Sequence, residues 1–190
     1  MILVIDTSSS SWSIVATIGE DEGSEWFSTG RGLDIQRLKR LVATTPITRV
    51  AVVSGPGSFT GLRVGVSIGL GIAIGLGVPI VPLPTLELQA ARSDEPVTAV
   101  ADAGRGRFYY LVPGGQAALG EPADIPTTYP LVGRVANREA PLLAAGHRFK
   151  PEKELRRFVE AAAKMLKTAR EVPYGSLEIE YMQSFSTSRK

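Results

Sequence analysis

Three features of this 190-residue sequence predict an α/β fold. Strand-like segments follow one another at the N-terminus, and helical and strand-like patterns then alternate over residues 33–93. An arrangement of strand, aspartate, turn and strand also occurs twice along the chain. The fold is therefore expected to begin as an antiparallel meander, to continue with alternating helices and strands, and to contain a duplicated lobe.

The N-terminal meander is predicted to have three strands. Residues 2–7, ILVIDT, form a short apolar run with a carboxylate near its end, which is typical of a central strand. Residues 11–19 alternate between apolar and polar side chains, and residues 24–30 follow the turn-like segment GEDEG. Because the connections between these segments are short, we expect antiparallel pairing.

The next part of the chain is expected to alternate helices with buried strands. Apolar residues at near-helical spacing predict an amphipathic helix over residues 33–43, and a strand is expected at 49–55. A long apolar helix is predicted at 59–75 and a strand at 78–84. A third helix is expected to begin at a threonine cap, Thr85.

Residues 96–112 repeat the plan of the N-terminus. A strand ends in Asp102, a glycine turn follows, and a second strand resumes at Phe108, just as a strand, Asp6 and a serine turn open the chain. This repetition is the basis of the predicted duplication. Beyond it the sequence predicts three further elements, which are a strand at 141–146, a helix at 156–168 and an edge strand at 177–185.

The composition excludes several classes of site. With no cysteine, the chain cannot form disulfides, thiolate zinc sites or a cysteine nucleophile, and a reducing cytoplasm is the expected compartment. A single histidine, His147, supports neither a metal-binding histidine pair nor a catalytic triad. A formal net charge of +2 is small for a protein that binds nucleic acid through phosphate contacts alone.

One uncharged segment, residues 64–81, reaches about the minimum length of a membrane span. Its dense glycines, the proline at position 79 and the lack of flanking basic and aromatic residues argue against spanning. A buried helix followed by a buried strand is expected instead, in a protein that does not enter the membrane.

The stretch SGPGSFTGLR, residues 54–63, has two interpretations. A glycine loop ahead of a helix can hold a phosphate on its backbone N–H groups, which makes Gly55 and Gly57 candidates for nucleotide binding. The stretch lacks the lysine of a P-loop and the glycine spacing of a dinucleotide fingerprint. The favoured interpretation is therefore a rigid corner that ends in a helix cap at Ser58.

A glycine stripe runs along the predicted helix that follows this loop. Gly61, Gly65 and Gly69 stand four residues apart and share one face, which lets another backbone approach closely. The helix is therefore expected to pack tightly, either inside its lobe or across an interface.

Two aspartates leave an enzymatic alternative open. Asp6, followed by Thr7, stands at a strand end where actin-like ATPases and sugar kinases bind phosphate and magnesium, and Asp102 holds the same place in the second copy. As a carboxylate pair they would serve an actin-like, nucleotide-binding phosphotransferase. Neither is followed by the phosphate loop of such enzymes, so the other interpretation is an aspartate that caps a turn.

Three blocks of the sequence carry a resemblance to a known family. They are ILVIDTSSSSWSIV, VSGPGSFTGLRVGVSIGLGIAIGLGVPIVPLPTLELQA and VADAGRGRFYY, all within residues 1–112. In order and spacing they closely resemble the TsaB (YeaZ) subunits of the bacterial machinery that makes tRNA threonylcarbamoyladenosine. The resemblance implies an actin-like ATPase, ribonuclease-H-like fold of two lobes, residues 1–95 and a reduced second lobe at residues 96–190.

The resemblance also implies a function. Members of this family are noncatalytic scaffolds that pair with a TsaD-type subunit, which carries the metal and the transfer chemistry, and with a TsaE-type ATPase. Together these proteins transfer a threonylcarbamoyl group to the adenosine next to the anticodon. The chain is therefore expected to have no intrinsic cofactor, with ATP or ADP bound only in the complex, to contact tRNA indirectly, and to form a homodimer in isolation.

The pairing surface of the family is built mainly from its first two helices. Carried over by position, the resemblance implies five interface residues, which are Leu38, Leu41, Arg63, Ser67 and Leu70. The sequence departs from the family at Asp34, where many members have a histidine, and at Gln183, where many have an arginine. These departures bear on nucleotide binding and on partner contacts, and they leave the fold prediction unchanged.

Overall fold

A computed structural model describes residues 1–20, 22–30, 32–135 and 138–182 of the chain. The strands of its first sheet are β1 Ile2–Asp6, β2 Trp12–Ile18, β3 Gly23–Thr29, β4 Arg49–Gly55 and β5 Ile80–Pro84. They lie in the order β3–β2–β1–β4–β5. The meander β1–β2–β3 is antiparallel as predicted, whereas β4 pairs with β1, and β5 with β4, in parallel.

Helices cover both faces of this sheet. They are α1 Ile35–Thr44, α2 Phe59–Leu76, α3 Thr85–Ala90 and α5 Phe158–Leu166. A further helix, α4 Glu139–Ala144, packs through Leu142 in a separate cluster with later strands of the chain. Successive residues of a strand point to opposite faces, so Leu3 of β1 packs in one hydrophobic cluster and Val4 in the other. The cluster around Leu3 includes Leu38 of α1 and Val66 of α2. On the opposite face, the cluster around Val4 includes residues of α3 and α5.

Capping residues set the ends of the two long helices. The Asp34 carboxylate accepts a hydrogen bond from the backbone N–H of Arg37 at 2.9 Å, so α1 begins two residues later than the predicted boundary. In α2 the Ser58 hydroxyl accepts a bond from the N–H of Gly61 at 3.3 Å, as predicted. α2 ends at Gly77, whose φ of 65° lies in the left-handed region that favours glycine.

The second sheet repeats the arrangement of the first on a smaller scale. Its strands are β6 Thr98–Gly104, β7 Arg107–Leu111, β8 Ala118–Gly120 and β9 Leu131–Val132. The order is β8–β7–β6–β9, with an antiparallel meander and with β9 parallel to β6. A parallel bridge from Leu131 to Phe149 takes the place of a fifth strand. This reduced copy of the first sheet confirms the predicted actin-like, ribonuclease-H-like fold with a smaller second lobe.

The structure corrects the prediction for residues 141–146. They were expected to form a strand, but most of them lie in α4, where Leu142 is fully buried. A short apolar run fits a buried strand and a buried helix equally well, and its alanines favour the helix. The strands β8 and β9 were not predicted, because two or three residues are too few for a periodic pattern.

The predicted edge strand at 177–185 is also wrong where the structure describes it. Residues 177–182 form no strand, and residues 183–185 lie outside the described part of the chain. One sheet-like contact remains, since the N–H of Glu180 donates to the carbonyl oxygen of Ser54 at 2.8 Å. This contact brings the end of the described chain to the loop that precedes α2.

α5 lies late in the sequence but packs on the first sheet. Phe158 and Leu166 belong to the same cluster as Val4 of β1. In addition, the Glu25 carboxylate of β3 accepts a hydrogen bond from the N–H of Val159 at 2.6 Å. The chain thus returns to its first half after building the second sheet, and the lobe boundary at residue 95 stays a prediction.

Within the described residues, α2 is the one helix long and apolar enough to cross a membrane by length and composition. Its inner side lies against the first sheet, where Leu62, Gly65 and Ala73 are buried. Its other side is exposed. The helix predicted within residues 64–81 is therefore buried on one side only, whereas the sequence predicted a buried helix.

Candidate functional site

The glycine loop ahead of α2 turns a corner against neighbouring backbone. A Cβ added to Gly57 would stand 2.5 Å from the carbonyl oxygen of Ser8, and the N–H of Ser58 donates to that same oxygen at 2.7 Å. Gly55 has a φ of 121°, and a Cβ there would stand 2.5 Å from the carbonyl oxygen of Glu180. Both glycines are therefore explained by close backbone contacts, which leaves no need to invoke a phosphate.

The stripe of Gly61, Gly65 and Gly69 faces inward. A Cβ on Gly61 would stand 2.0 Å from the carbonyl oxygen of Thr7, and one on Gly65 would stand 2.1 Å from the Thr7 hydroxyl oxygen. A Cβ on Gly69 would stand 2.2 Å from a methyl carbon of Val52. The Thr7 hydroxyl donates to the carbonyl oxygen of Gly61 at 2.7 Å, so Thr7 serves helix packing. Of the two packing alternatives, the structure selects the one inside the lobe.

The opposite side of α2 is the first candidate site, which we call the outer face. Apart from the equally exposed Arg63 at its border, its exposed residues are Thr60, Val64, Ser67, Gly71, Ile74 and Gly75. They recur at the three- and four-residue spacing of one helix face. None of them carries a charge, and a Cβ on Gly71 or Gly75 would find nothing within 4 Å. Such a surface permits the close approach of another element.

The five predicted interface residues divide into two groups. Arg63 and Ser67 are exposed beside or on the outer face. Leu41 and Leu70 are half-buried and pack on the first-sheet core, and Leu38, with only 3% of its surface exposed, belongs to that core. Leu38 therefore cannot offer its side chain to a partner and instead holds α1 in place. The sequence pattern could not distinguish these roles, because core and interface both require leucine.

Arg63 is held by two aromatic rings at the N-terminal end of α2. Its guanidinium carbon lies 3.8 Å from the ring centroid of Phe59, and its Nε donates to the Tyr181 hydroxyl at 3.0 Å. The two rings stand 5.2 Å apart, centroid to centroid. This cluster ties the end of the described chain to α2. Residue-level reasoning missed it because Tyr181 lies 118 positions from Arg63.

Asp6 and Asp102 make the same turn in the two lobes. Each carboxylate accepts a hydrogen bond at 2.8 Å from the N–H two residues later, Ser8 for Asp6 and Gly104 for Asp102. Asp6 is fully buried, and its second oxygen has no hydrogen-bond partner among the described residues. Burial raises the pKa of Asp6, despite the opposing effects of the Ser8 hydrogen bonds and of Arg134. Both aspartates thus cap turns, as the second of the two interpretations of the sequence expected.

These carboxylates do not fit the magnesium ion that a phosphotransferase of this fold would need. Asp102 forms an ion pair with Arg138, with 3.2 Å between Oδ2 and Nε, and Asp6 is fully buried with one oxygen engaged by the N–H of Ser8. No group of three or more metal-ligating side chains occurs in the part of the chain that the structure describes. His147 is buried, with Nε2 at 2.9 Å from the carbonyl oxygen of Pro122.

A cleft of about 280 Å³ between the two sheets is the second candidate site. One wall is formed by the serine turn after β1, the start of α2 and the buried side of α3, and the other by β6 and the arginines Arg134 and Arg138. Asp102 also lines it, and Glu180 and Tyr181 lie at its edge. Burial, and then the like charge of Glu87, raise the pKa of Glu180.

Known proteins are similar to this chain in sequence and in fold. The family model described as TsaD, tRNA N6-adenosine threonylcarbamoyltransferase, matches residues 38–172. A curated relative, the tRNA threonylcarbamoyladenosine biosynthesis protein TsaB of Bacillus subtilis (strain 168), is 32% identical over 71 residues. That alignment covers 36% of this chain and 31% of the relative, so the chain matches less than a third of the relative's length.

Two solved structures share the fold over almost the whole chain. YeaZ from Pseudomonas aeruginosa superposes with a TM-score of 0.70 at 19% identity, covering 95% of this chain and 99% of that one. A protein described as similar to the peptidase YeaZ from Pseudomonas aeruginosa also gives 0.70, at 20% identity, covering 96% and 99%. Because the TsaD model matches well over half of the residues, the chain belongs to the family that this model describes; it is similar to the TsaB relative over part of its sequence and to the YeaZ structures in fold.

Proposed function

We propose that this chain is a noncatalytic subunit in the synthesis of threonylcarbamoyladenosine in tRNA. In this proposal it pairs with a TsaD-type subunit that carries the transfer chemistry. A TsaE-type ATPase joins the same assembly. The chain acts in the cytoplasm, contacts tRNA through its partners, and binds no cofactor by itself, so that ATP or ADP enters only with the complex.

The outer face of α2 is the observation that carries this proposal. The helix has 18 residues and is therefore about 27 Å long at 1.5 Å per residue. Along this length the outer face is uncharged, with Arg63 beside it. The core of a protein–protein interface is depleted of charged residues in the same way. Small residues at positions 67, 71 and 75 would let a partner helix approach closely.

The rest of the chain supports an accessory role over a catalytic one. The two candidate carboxylates are engaged in the fold, Asp6 by the N–H of Ser8 and Asp102 by Arg138. The sequence contains one histidine and no cysteine, and this histidine, His147, is buried against the carbonyl of Pro122. The chain thus offers few side chains for a metal centre, which favours a partner as the carrier of the chemistry.

The same face explains why a homodimer is expected in isolation. An uncharged helix face can pair with its own copy through a two-fold axis or with a related surface on a partner. The two assemblies would then compete for α2, so the homodimer should dissociate as the TsaD-type subunit is added.

Light scattering on a mixture of the purified chain and a TsaD-type subunit tests the proposal. Gly71→Glu places a charge at the centre of the outer face, where the structure has open space, so the fold should remain intact. Ala140→Glu places the same charge on an exposed position of α4 and serves as the control. We expect wild type and Ala140→Glu to form the complex and Gly71→Glu to fail. Equal complex formation by all three would contradict the proposed surface, and transfer activity of the chain alone would contradict the noncatalytic role.

A further inference from the structure

The cleft between the sheets contains a polar group that the fold leaves unused. Thr85, at the start of α3, lines the cleft with only 2% of its surface exposed, and its Oγ1 has no hydrogen-bond partner among the described residues. Gln89 and Ser8, also lining the cleft, are 4% and 7% exposed. Buried hydroxyls are normally hydrogen-bonded, because an unmade bond is unfavourable. The floor of the cleft is therefore prepared for a ligand with hydrogen-bonding groups.

The charged side chains of the cleft are balanced. Arg134 and Arg138 bring two guanidinium groups to the cleft, and Asp102 and Glu180 bring two carboxyl groups. Arg134 donates from Nη2 to Glu152 at 2.9 Å, so its other nitrogens are the ones that could meet a ligand. Arg138 contacts Asp102 through Nε, so its terminal nitrogens remain available to donate to a carboxylate. A cleft with both signs of charge suits a ligand that also carries both.

The size and remaining lining of the cleft set the scale of this ligand. A volume of about 280 Å³ lies at the lower end of small-molecule sites. Trp12, Val100 and Tyr109 add apolar surface beside the polar floor. A compact molecule with one short side chain matches these dimensions.

We propose that the cleft binds a free α-amino acid without a metal ion. Its carboxylate would bind the guanidinium groups of Arg134 and Arg138, its ammonium group would bind Asp102 or Glu180, and its side chain would reach the floor at Thr85. Because side chains of the cleft meet both charges of the ligand, binding requires no divalent cation. This inference concerns the cleft and goes beyond the proposed function, which concerns the outer face of α2.

Calorimetric titration of the full chain in EDTA, with four small probes, tests the ligand class. The probes are L-serine, L-leucine, ethanolamine and 3-hydroxypropionate, the last two being serine without its carboxylate and serine without its ammonium group. We expect at least one amino acid to bind with a Kd of about 0.1–1 mM. Each half-molecule should bind at least about tenfold more weakly than serine, because it loses one charge-assisted contact. Serine should bind more tightly than leucine, because its hydroxyl can hydrogen-bond to Thr85.

Matched substitutions locate the site. Thr85→Val removes the unpartnered hydroxyl and should weaken binding about fivefold. Thr98→Val is its control, since Thr98 is equally buried and has an equally unpartnered Oγ1 but does not line the cleft. Arg138→Gln should weaken binding at least about tenfold, whereas Arg148→Gln, at an exposed arginine outside the cleft, should not.

Four results would overturn the proposal. They are the absence of binding by any probe up to about 10 mM, half-molecules that bind as tightly as serine, a requirement for magnesium, and equal weakening by Thr85→Val and Thr98→Val. Thermal unfolding of each variant separates a lost ligand contact from a lost fold, since both threonine substitutions should leave the melting temperature unchanged or higher.

Discussion

The inward-facing and outward-facing glycines of α2 lead to opposite predictions for the same substitution. An alanine at Gly69 would place its Cβ 2.2 Å from a methyl carbon of Val52, which is fully buried and cannot move aside. An alanine at Gly71, two residues later, would find nothing within 4 Å. Gly69→Ala should therefore destabilise the protein, and Gly71→Ala should stabilise it.

The expected change in the free energy of unfolding has two contributions. Replacing a mid-helix glycine with alanine favours the helix by about 1 kcal/mol, and this term is the same at both positions. Overpacking a filled core costs about 1–3 kcal/mol, and this term applies only at Gly69. The free energies of unfolding of the two variants should therefore differ by about 1–3 kcal/mol, with Gly71→Ala about 1 kcal/mol above wild type.

Urea unfolding at low protein concentration measures this difference without a contribution from pairing. With a slope of about 2 kcal/mol per molar urea, the midpoints of the two variants should be separated by roughly 0.5–1.5 M. Equal midpoints, or a lower midpoint for Gly71→Ala than for Gly69→Ala, would refute the assignment of the inner and outer sides of the helix.

Three further predictions concern the hydrogen bonds and charges of the fold. Asp6 has a raised pKa, so the folded state holds its proton more tightly and wild-type stability falls as pH rises above the ordinary value of 3.8. Asp6→Asn removes this pH dependence, so the unfolding free energy of the variant relative to wild type should increase with pH. A difference that does not change with pH would contradict the burial argument. Glu152→Gln leaves the buried Arg92 without its carboxylate partner and should destabilise the protein by about 1–3 kcal/mol in urea unfolding, whereas an unchanged midpoint would show that this pair contributes little. Tyr181→Ala removes the ring beside Phe59 and should speed proteolytic cleavage of the C-terminal segment. Tyr181→Phe loses only the hydrogen bond from Arg63 and should have a smaller effect. Equal cleavage rates of the two variants would show that this hydrogen bond, and not the ring, holds the segment.

The parts of the fold with a strong local signal could be predicted from the sequence. Asp34 and Ser58 are good N-caps, and the long alternating and helical patterns around them gave the first sheet and its helices to within a few residues. The repeated aspartate turn likewise predicted the second copy, because Asp6 and Asp102 make the same local hydrogen bond. Caps and turns act on neighbouring residues, so the sequence predicts them.

The candidate site depended on contacts between distant parts of the chain. Periodicity placed Gly65 and Gly71 on different sides of α2 but could not say which side meets the sheet. Likewise, nothing near Asp102 in the sequence identifies Arg138 as its partner, and nothing near Thr85 shows that its hydroxyl lines a cleft. These facts arise only when the two sheets are brought together.

We propose that this chain supports threonylcarbamoyladenosine synthesis through the outer face of α2. Nucleoside mass spectrometry on tRNA from cells depleted of the protein tests it most directly, with wild type, Gly71→Glu and Ala140→Glu each supplied in turn. We expect loss of threonylcarbamoyladenosine on depletion, full recovery with wild type and with Ala140→Glu, and little recovery with Gly71→Glu. Unchanged modification after depletion, or full recovery with Gly71→Glu, would contradict it.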